Sequence, residues 1–203
     1  MNKIITISRQ YASGGREIGE KLADKLGIAF YDEKLITLAA EASGFSKDAF
    51  SKAEDKASNS LIYSIAMGFG AYGFRDFGGM PMSIDDQIYM AQSDVIRKVA
   101  KEGSCVIIGR CADYILQDYK NVVNVFVWAD IGYRVKRAQD IYNISKAKAE
   151  ENILKIDKKR ANYYKYHSDK RWGKIDNYDI SIRSDRIGIE NAVDSIARYV
   201  ENI

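Results

Sequence analysis

The stretch that most constrains the fold is Ile4 to Gly27, where a strand pattern, a small-residue turn and an amphipathic helix pattern follow one another. Ile4 to Ile7 is a short β-branched run of the kind that a buried parallel strand needs. The turn ends in Ser13-Gly14-Gly15, and the helix after it has apolar residues four apart on one face: Ile18, Leu22 and Leu26. This order favours phosphate binding, because unpaired backbone N–H groups and the helix dipole converge on one point.

The loop departs from the usual phosphate-loop pattern of glycine, any four residues, Gly-Lys and Ser or Thr. When the pattern is aligned on the following helix, Arg9 replaces the first glycine, Gly15 replaces the lysine, and Arg16-Glu17 follow. Arg9 and Arg16 flank the loop with guanidinium groups, which bind phosphate bidentately and could replace a lysine. The same residues also suit a plain tight turn between a strand and a helix, so that interpretation stays open.

Composition excludes several classes of protein. The chain has 203 residues, enough for one domain with or without an inserted lobe. Its 31 Lys and Arg nearly balance 28 Asp and Glu, and the net charge of +3 does not indicate a nucleic acid or a membrane as partner. Cys105, Cys111 and the single His167 form neither a disulfide framework nor a metal-ligand pattern. We therefore expect a cytoplasmic protein without a structural metal.

Strand and helix patterns alternate along the whole chain. This alternation predicts an α/β domain with a mainly parallel sheet of five strands, at about 4–7, 27–32, 105–108, 122–128 and 178–182. Helices are predicted between the strands, and one closes the chain around Ile189 to Val200. We expect a single domain over 1–203 with a helical lobe inserted at about 33–101.

Two segments permit more than one interpretation. Residues 60–82 interleave glycines with aromatic residues, which suits either an irregular packed loop or a mobile flap that covers an acceptor or a partner in a homodimer. The helix predicted at about 146–166 is strongly charged, with Ile153 and Ile156 almost its only aliphatic anchors. It is either a solvated surface helix or part of a lid, at about 145–172, that excludes water from a phosphoryl-transfer site.

Arginines recur where the predicted parallel strands end, which places them at one edge of the sheet. They are Arg9, Arg16, Arg110, Arg134 and Arg137, with Arg160 on the predicted lid. In phosphoryl transfer the protein mainly aligns the reactants and spreads positive charge over the moving group. This arginine-rich edge fits that chemistry better than hydrolysis by a triad, for which only His167 is available.

Several short motifs resemble the cytidylate kinase-like family, relatives of the P-loop nucleoside monophosphate kinases. They are Ile7 to Gly19 (Ile-Ser-Arg-Gln-Tyr-Ala-Ser-Gly-Gly-Arg-Glu-Ile-Gly), Phe30-Tyr31-Asp32, Ile108-Gly109-Arg110, Asp157-x-x-Arg160 and Asn177-Tyr178-Asp179. The resemblance covers most of the chain. It implies a three-layer P-loop kinase fold with a mainly parallel five-stranded sheet, an inserted helical lobe for the acceptor and a helical lid.

The resemblance also implies roles for individual residues. ATP, with Mg²⁺, would be held at its phosphates by Arg9, Ser13, Gly14, Gly15, Arg16 and Glu17. Arg16, Arg110 and Arg160 would be the catalytic cations, while Asp32, Arg110 and Asp157 would bind the acceptor. No protein ligand set for a metal is expected, since no Ser or Thr follows Gly15 and Mg²⁺ would be held by the nucleotide and water.

Three functions follow from these observations. The first is an ATP-dependent kinase for CMP, dCMP or another nucleoside monophosphate, in which Arg16 takes over the work of the missing lysine. The second is a nucleotide-binding or regulatory protein that has lost turnover, and the third is a kinase for a non-nucleotide acceptor. The first predicts that Arg16→Ala lowers the rate at least about a hundredfold, whereas the second has no rate to lose.

Overall fold

A computed structural model describes residues 2–42 and 84–203. The chain divides into two compact units, Met1–Phe30 with Gly103–Ile203, and Tyr31–Glu102. The expected acceptor lobe falls within the second unit. The Gly- and aromatic-rich segment 60–82 and a helix predicted at about 47–57 lie outside the described residues, so their structure and roles stay predictions.

Five strands form one sheet in the order β2-β3-β1-β4-β5. They are β1 (Ile4–Arg9), β2 (Ala29–Tyr31), β3 (Cys105–Ile108), β4 (Val122–Trp128) and β5 (Ile180–Arg183). β1 pairs in parallel with β3 and β4, and β4 pairs in parallel with β5. The central strands are apolar because both faces of a parallel sheet are covered. The predicted parallel α/β sheet is confirmed.

The register of the strands fixes which residues meet at the carboxyl edge of the sheet. Ile7 lies opposite Ile108, and Arg9 lies opposite Val127. Arg9 therefore ends β1 beside the last residues of β4, and Gly109 follows β3 on the other side. Loops at this edge of an open parallel sheet are where such folds place ligands.

One face of the sheet is covered by α1 (Gly15–Leu26) and α8 (Ile189–Glu201). The apolar stripe of α1 predicted from the sequence packs into the main core, where Ile18 and Leu22 are fully buried. Val193 and Ile196 of α8 enter the same core. The C-terminus of α1 is fixed by Gly27, which adopts the left-handed conformation (φ 63°) that such caps require.

Two helices of the first unit form a pair, α5 (Ile131–Tyr142) and α6 (Lys146–Ser168). Each begins at a side-chain cap: Asp130 accepts a hydrogen bond from Gly132 N at 2.8 Å, and Ser145 from Lys148 N at 3.3 Å. Between them lies a small separate core of Val135, Ala138, Ala149 and Ile153, against which Tyr11 and Ala12 of the first loop pack. The loop after β1 is thus supported by this helix pair.

The second unit is described only over 31–42 and 84–102. Within it α2 (Glu33–Ala42) packs against α3 (Ile84–Glu102), as their apolar stripes predict. Their buried residues include Ile36, Ala39, Val95, Ile96 and Val99. Gln92 of α3 donates a hydrogen bond to Thr37 of α2 at 3.1 Å.

The end of the chain differs from the prediction in detail. β5 begins at Ile180 rather than at Tyr178, since a single 3-10 turn, Ile175–Asn177, precedes it and Tyr178 packs on Phe126 with ring centres 4.9 Å apart. A short helix, α7 (Ser184–Ile187), follows β5 and was not predicted. Earlier in the chain, the short helix α4 (Ala112–Ile115) follows β3, where a helix was predicted.

Candidate active site

The loop between β1 and α1 is fixed by hydrogen bonds to its neighbours. Gln10 N donates to Val127 O at 3.0 Å. The hydroxyl of the fully buried Ser13 lies within hydrogen-bonding distance of two carbonyl oxygens, Gln10 O at 2.9 Å and Val127 O at 3.2 Å. Ser184 holds the loop from the other side, with its hydroxyl 2.6 Å from Ser13 O. The Ser13 side chain therefore shapes the loop, and its predicted contact with phosphate stays a prediction.

Helix α1 presents its N-terminus at the end of this loop. Gly14 adopts a left-handed conformation (φ 86°), which turns the chain into the helix at Gly15. The first amide groups of a helix have no carbonyl partner within the helix, and the helix dipole makes that end attractive to anions. The turn and the helix start therefore have the geometry of a phosphate-binding loop.

A cavity of about 550 Å³ opens over this loop. Its walls come from the loop, α1, α5 and α6: Arg9, Gln10, Tyr11, Ala12, Gly14, Gly15, Arg16, Glu17, Glu20, Arg137, Ile141, Tyr142 and Arg160. Four arginines and two glutamates are among them, so the walls carry a net positive charge. Such a cavity suits a polyanionic ligand. All the predicted phosphate-binding residues except Ser13 are in this set.

Arg160 reaches the loop from α6. Its Nη1 donates a hydrogen bond to the carbonyl oxygen of Arg9 at 3.0 Å. One turn earlier on the same helix, Asp157 accepts a hydrogen bond from Tyr11 N at 2.7 Å and pairs with Arg134 of α5, Nη1 to Oδ2 2.5 Å. The motif Asp-x-x-Arg thus contacts the phosphate loop through both of its charged residues. That Asp157 also binds the acceptor stays a prediction.

Arg137 and Glu17 form an ion pair inside the cavity. Arg137 Nη2 donates to Glu17 Oε2, and Lys21 Nζ lies 3.6 Å from the other Glu17 oxygen. The Nε of Arg137 is buried, and no hydrogen-bond acceptor for it lies among the described residues. Because buried donors in folded proteins are nearly always hydrogen-bonded, Arg137 suits a ligand whose anionic oxygens can accept from it. The sequence placed Arg137 at this edge but did not name it as a site residue.

Two tyrosines stack at the wall of the cavity, Tyr11 of the loop and Tyr142 at the end of α5. Their ring centres are 5.6 Å apart with an angle of 11° between the planes. Burial, with the nearby Tyr142, raises the pKa of Tyr11 to about 12. Its hydroxyl therefore stays protonated beside Tyr142. Neither tyrosine was predicted, because only the fold brings them together.

Arg16 points along helix α1. Its Nη1 pairs with Glu20 at 3.0 Å, and its guanidinium carbon lies 5.7 Å from the centre of the Phe30 ring. The side chain is 58% exposed. Arg16 does line the cavity, but in this structure it makes these contacts on the helix surface rather than over the loop.

Arg110 follows β3 in an unusual backbone segment. Gly109, Arg110 and Cys111 all have positive φ, at 71°, 55° and 54°. Non-glycine residues in this region cost free energy and concentrate at functional sites. The Arg110 guanidinium lies 5.7 Å from the centre of the Tyr163 ring on α6. The turn thus aims the arginine away from β3 toward α6, and its predicted contact with an acceptor phosphate stays a prediction.

A buried pair links α6 to α4. The Tyr164 hydroxyl donates to Asp113 Oδ2 at 2.6 Å, and both residues are under 10% exposed. Burial raises the pKa of the Asp113 carboxyl, and it also raises the pKa of Tyr164. The pair anchors α6 one turn after Arg160 and two turns after Asp157.

The sequence of the chain matches a family model described as the cytidylate kinase-like family, over residues 4–186. This chain belongs to the cytidylate kinase-like family. The resemblance drawn from the motifs is therefore confirmed. No curated protein matches the sequence.

Solved structures share the fold of this chain. This cytidylate kinase-like protein is similar over 99% of both chains to an uncharacterized protein from Eubacterium ventriosum, with 26% identity and a TM-score of 0.75. A shikimate kinase from Bacteroides thetaiotaomicron matches over 99% of both chains with 15% identity and a TM-score of 0.54. One from Aquifex aeolicus covers 98% of this chain and 96% of its own, with 15% identity and a TM-score of 0.50. The fold is the α/β P-loop kinase fold.

Asp32, the third residue that the resemblance assigns to the acceptor, is not among the residues that line the cavity of this cytidylate kinase-like protein. Asp32, in the second unit, accepts a hydrogen bond from Leu35 N at 2.9 Å and so begins α2. Its predicted contact with the acceptor stays a prediction.

In the described ranges no cluster of three acidic, histidine or cysteine residues could hold a metal ion, and no helix there is long and apolar enough to cross a membrane.

Proposed function

We propose that this protein transfers the γ-phosphoryl group of ATP to a nucleoside monophosphate, CMP or dCMP. The observation that carries the proposal is the cavity over the phosphate loop, where arginines from β1, α1, α5 and α6 surround a helix N-terminus. Membership of the cytidylate kinase-like family supports the choice of a cytidine nucleotide as the acceptor.

The residues of the cavity fit the phosphates of ATP. The loop supplies backbone N–H groups at Gly14 and Gly15, and Arg137 supplies a buried Nε that has no acceptor in the described part of the chain. Bound ATP supplies the phosphoryl group, and Mg²⁺, held by nucleotide and water, neutralises part of its charge. The protein itself contributes positive charge and alignment, which are the main requirements of phosphoryl transfer.

In this mechanism the arginines of the site have separate tasks. Arg160, held at the Arg9 carbonyl, is positioned beside the loop and spreads charge over the moving group. Arg110, in the strained turn after β3, holds the phosphate of the acceptor. An oxygen of that phosphate attacks the γ-phosphorus as the bond to the leaving ADP breaks, and Asp32 and Asp157 help to select the acceptor.

A second candidate is a nucleotide-binding protein that has lost turnover. The ion pair of Glu17 with Arg137 favours it, because a carboxylate in the cavity opposes the charge of a bound triphosphate. Both candidates predict that ATP occupies the cavity. They differ in whether an acceptor is consumed.

The test is phosphorus NMR of the purified protein with ATP and Mg²⁺, with each ribo- and deoxyribonucleoside monophosphate in turn and shikimate as a non-nucleotide acceptor. We expect equal amounts of ADP and a new diphosphate with CMP or dCMP, and no ADP without acceptor. Turnover of another acceptor alone would overturn the choice of cytidine nucleotide. Binding of ATP without any turnover would favour the second candidate.

A further inference from the structure

The side chain of Arg9 lies where two glycines leave room for it. Arg9 is the last residue of β1, so its side chain leaves the sheet at the edge that carries the phosphate loop. Gly15, the first residue of α1, lies on one side of it, and Gly109, the first residue after β3, lies on another. All three residues belong to the same compact unit.

Gly15 could not carry a side chain without a rearrangement. A Cβ atom at Gly15 would lie 2.5 Å from Arg9 Cβ, 3.0 Å from Arg9 Cγ and 3.2 Å from Val127 Cβ. Gly15 is the position at which the usual pattern has its lysine. The space in which that lysine side chain would begin is therefore filled by the first carbons of Arg9.

The far end of the Arg9 side chain lies against Gly109. A Cβ atom at Gly109 would clash with Arg9 Nη1 and lie 3.2 Å from its Cζ. The guanidinium group thus lies directly against the backbone at the end of β3, one residue before Arg110. This position is between the phosphate loop and the residue expected to hold the acceptor phosphate.

We propose that Arg9 replaces the missing lysine of the phosphate loop and is the cation that contacts the β- and γ-phosphates of ATP. This inference rests on the proposed binding of ATP in the cavity. The first side-chain carbons of Arg9 occupy the space in which the lysine side chain would begin, and Arg9 carries the same charge. Arg9 also lines the cavity over the loop. Its planar guanidinium group can also bind phosphate oxygens through a fork of two parallel N–H donors, whereas a lysine ammonium acts as a point charge.

The contacts of Arg16 make it a weaker replacement. Arg16 pairs with Glu20 on the exposed surface of α1, whereas the side chain of Arg9 lies against Gly15 and Gly109 within the fold. Because the group at the transferring phosphoryl must be held in place, the better-fixed arginine suits the task. The proposal therefore assigns the work of the lysine to Arg9 and not, as the sequence suggested, to Arg16.

The first test measures the dissociation constants of ATP and ADP by calorimetry, with Mg²⁺ and without acceptor. Arg9→Gln is compared with Arg16→Gln and with Lys25→Gln, a charge-matched control in the exposed pair with Asp194 at the far end of α1. We expect Arg9→Gln to weaken ATP binding about tenfold to a hundredfold and ADP binding less. Arg16→Gln should lose less ATP affinity than Arg9→Gln, and Lys25→Gln should bind ATP and ADP as tightly as the wild type does.

The second test moves the cation to its usual place. Gly15→Lys alone should weaken ATP binding, because the new side chain collides with Arg9. Combining it with Arg9→Gly removes the collision and restores a lysine loop, so the double variant should bind ATP more tightly than either single variant. Circular dichroism melting shows whether each variant is folded. If the double variant is not folded, Arg9→Lys, which keeps the charge, is measured in its place.

The outcomes separate this inference from the proposed function. If Arg9→Gln keeps the wild-type preference for ATP over ADP and the loss of ATP affinity appears in Arg16→Gln, the role of Arg9 is overturned while the kinase reaction stands. Loss of ATP affinity in Arg9→Gln, in a wild type that binds ATP but turns over no acceptor, would support Arg9 and contradict the kinase. A wild type that does not bind ATP would overturn both.

Discussion

Asp157 and Arg134 form an ion pair that joins α6 to α5, with Oδ2 and Nη1 2.5 Å apart, while the second oxygen of Asp157 accepts from Tyr11 N of the phosphate loop. The Arg134 side chain is only 9% exposed. One carboxylate thus ties together the loop and both helices of the cavity. This structural role is distinct from the acceptor contact that the family motif implies.

Asp157→Ala should destabilise the protein by roughly 3–5 kcal/mol, because it leaves the buried Arg134 charge without its carboxylate counter-ion. Denaturant unfolding measures this loss. The matched control is Glu151→Gln on the same helix, which removes an exposed pair with Lys148 and should leave the midpoint unchanged. A stable Asp157→Ala protein with a raised KM for the acceptor would instead show that Asp157 acts mainly on the substrate.

Glu17→Gln should tighten the binding of ATP by about threefold to tenfold at low salt. The substitution removes a negative charge from the cavity and releases Arg137 for the ligand, and the gain should shrink as salt screens the site. Titration calorimetry measures it, with Glu190→Gln, whose carboxylate pairs with Lys21, as the control outside the cavity. Weaker binding that depends on Mg²⁺ would indicate that Glu17 helps to hold the metal.

Tyr164→Phe should cost about 1–3 kcal/mol of stability, because it leaves the buried Asp113 carboxyl without the hydroxyl that donates to it. Thermal or denaturant unfolding measures the loss. Tyr166→Phe, an exposed position on the same helix, is the matched control and should have a small effect. Equal losses in both variants would contradict the account of the buried pair.

Asp113→Asn should change how stability depends on pH. Burial raises the pKa of Asp113 in the folded protein, so the folded state binds its proton more tightly than the unfolded chain does. The stability that this proton contributes is complete below the unfolded pKa of about 3.9 and is lost as the pH rises through the raised pKa. The stability of Asp113→Asn relative to wild type should therefore increase as the pH rises above about 4 and level off above the raised pKa. A difference in stability that does not change with pH would contradict this.

Both cysteines should resist thiol reagents in the folded protein. Cys105 and Cys111 are 1% and 4% exposed, and burial raises the pKa of each thiol to about 12. At about pH 8 the thiolate fraction is then on the order of a thousandfold smaller than for an ordinary cysteine, in addition to the steric protection. Absorbance with a disulfide reagent should show both thiols reacting only after unfolding. Rapid reaction of either one in the native protein would contradict this.

Much of the fold could be predicted because it depends on local patterns. The β-branched run from Ile4 to Ile7, the four-residue spacing after Gly15 and the cap at Ser145 each define an element within a few residues of sequence. The start of β5 could not be predicted in this way. Tyr178 has strand propensity, but it packs on Phe126 instead of joining the strand, and Phe126 is distant in the sequence. The four residues of α7 are too short to show a period.

The candidate site was predictable only in part. The phosphate loop and the arginines at the carboxyl edge follow from motif and topology. The partners of those arginines do not, because the Asp157 bond to Tyr11 spans 146 positions and the Glu17 bond to Arg137 spans 120. The role now proposed for Arg9 depends on the space at Gly15 and Gly109, which no spacing in the sequence reveals.

The most direct test of the proposed kinase reaction uses ATP labelled in its γ-phosphoryl group. The label is followed with purified protein, Mg²⁺ and CMP or dCMP, and in an acceptor-free control. We expect the label to appear in the cytidine diphosphate product, with one ADP formed for each diphosphate and no release of labelled phosphate without acceptor. Stoichiometric binding of ATP with no label in any acceptor would contradict the kinase assignment and identify a nucleotide-binding protein on a kinase fold.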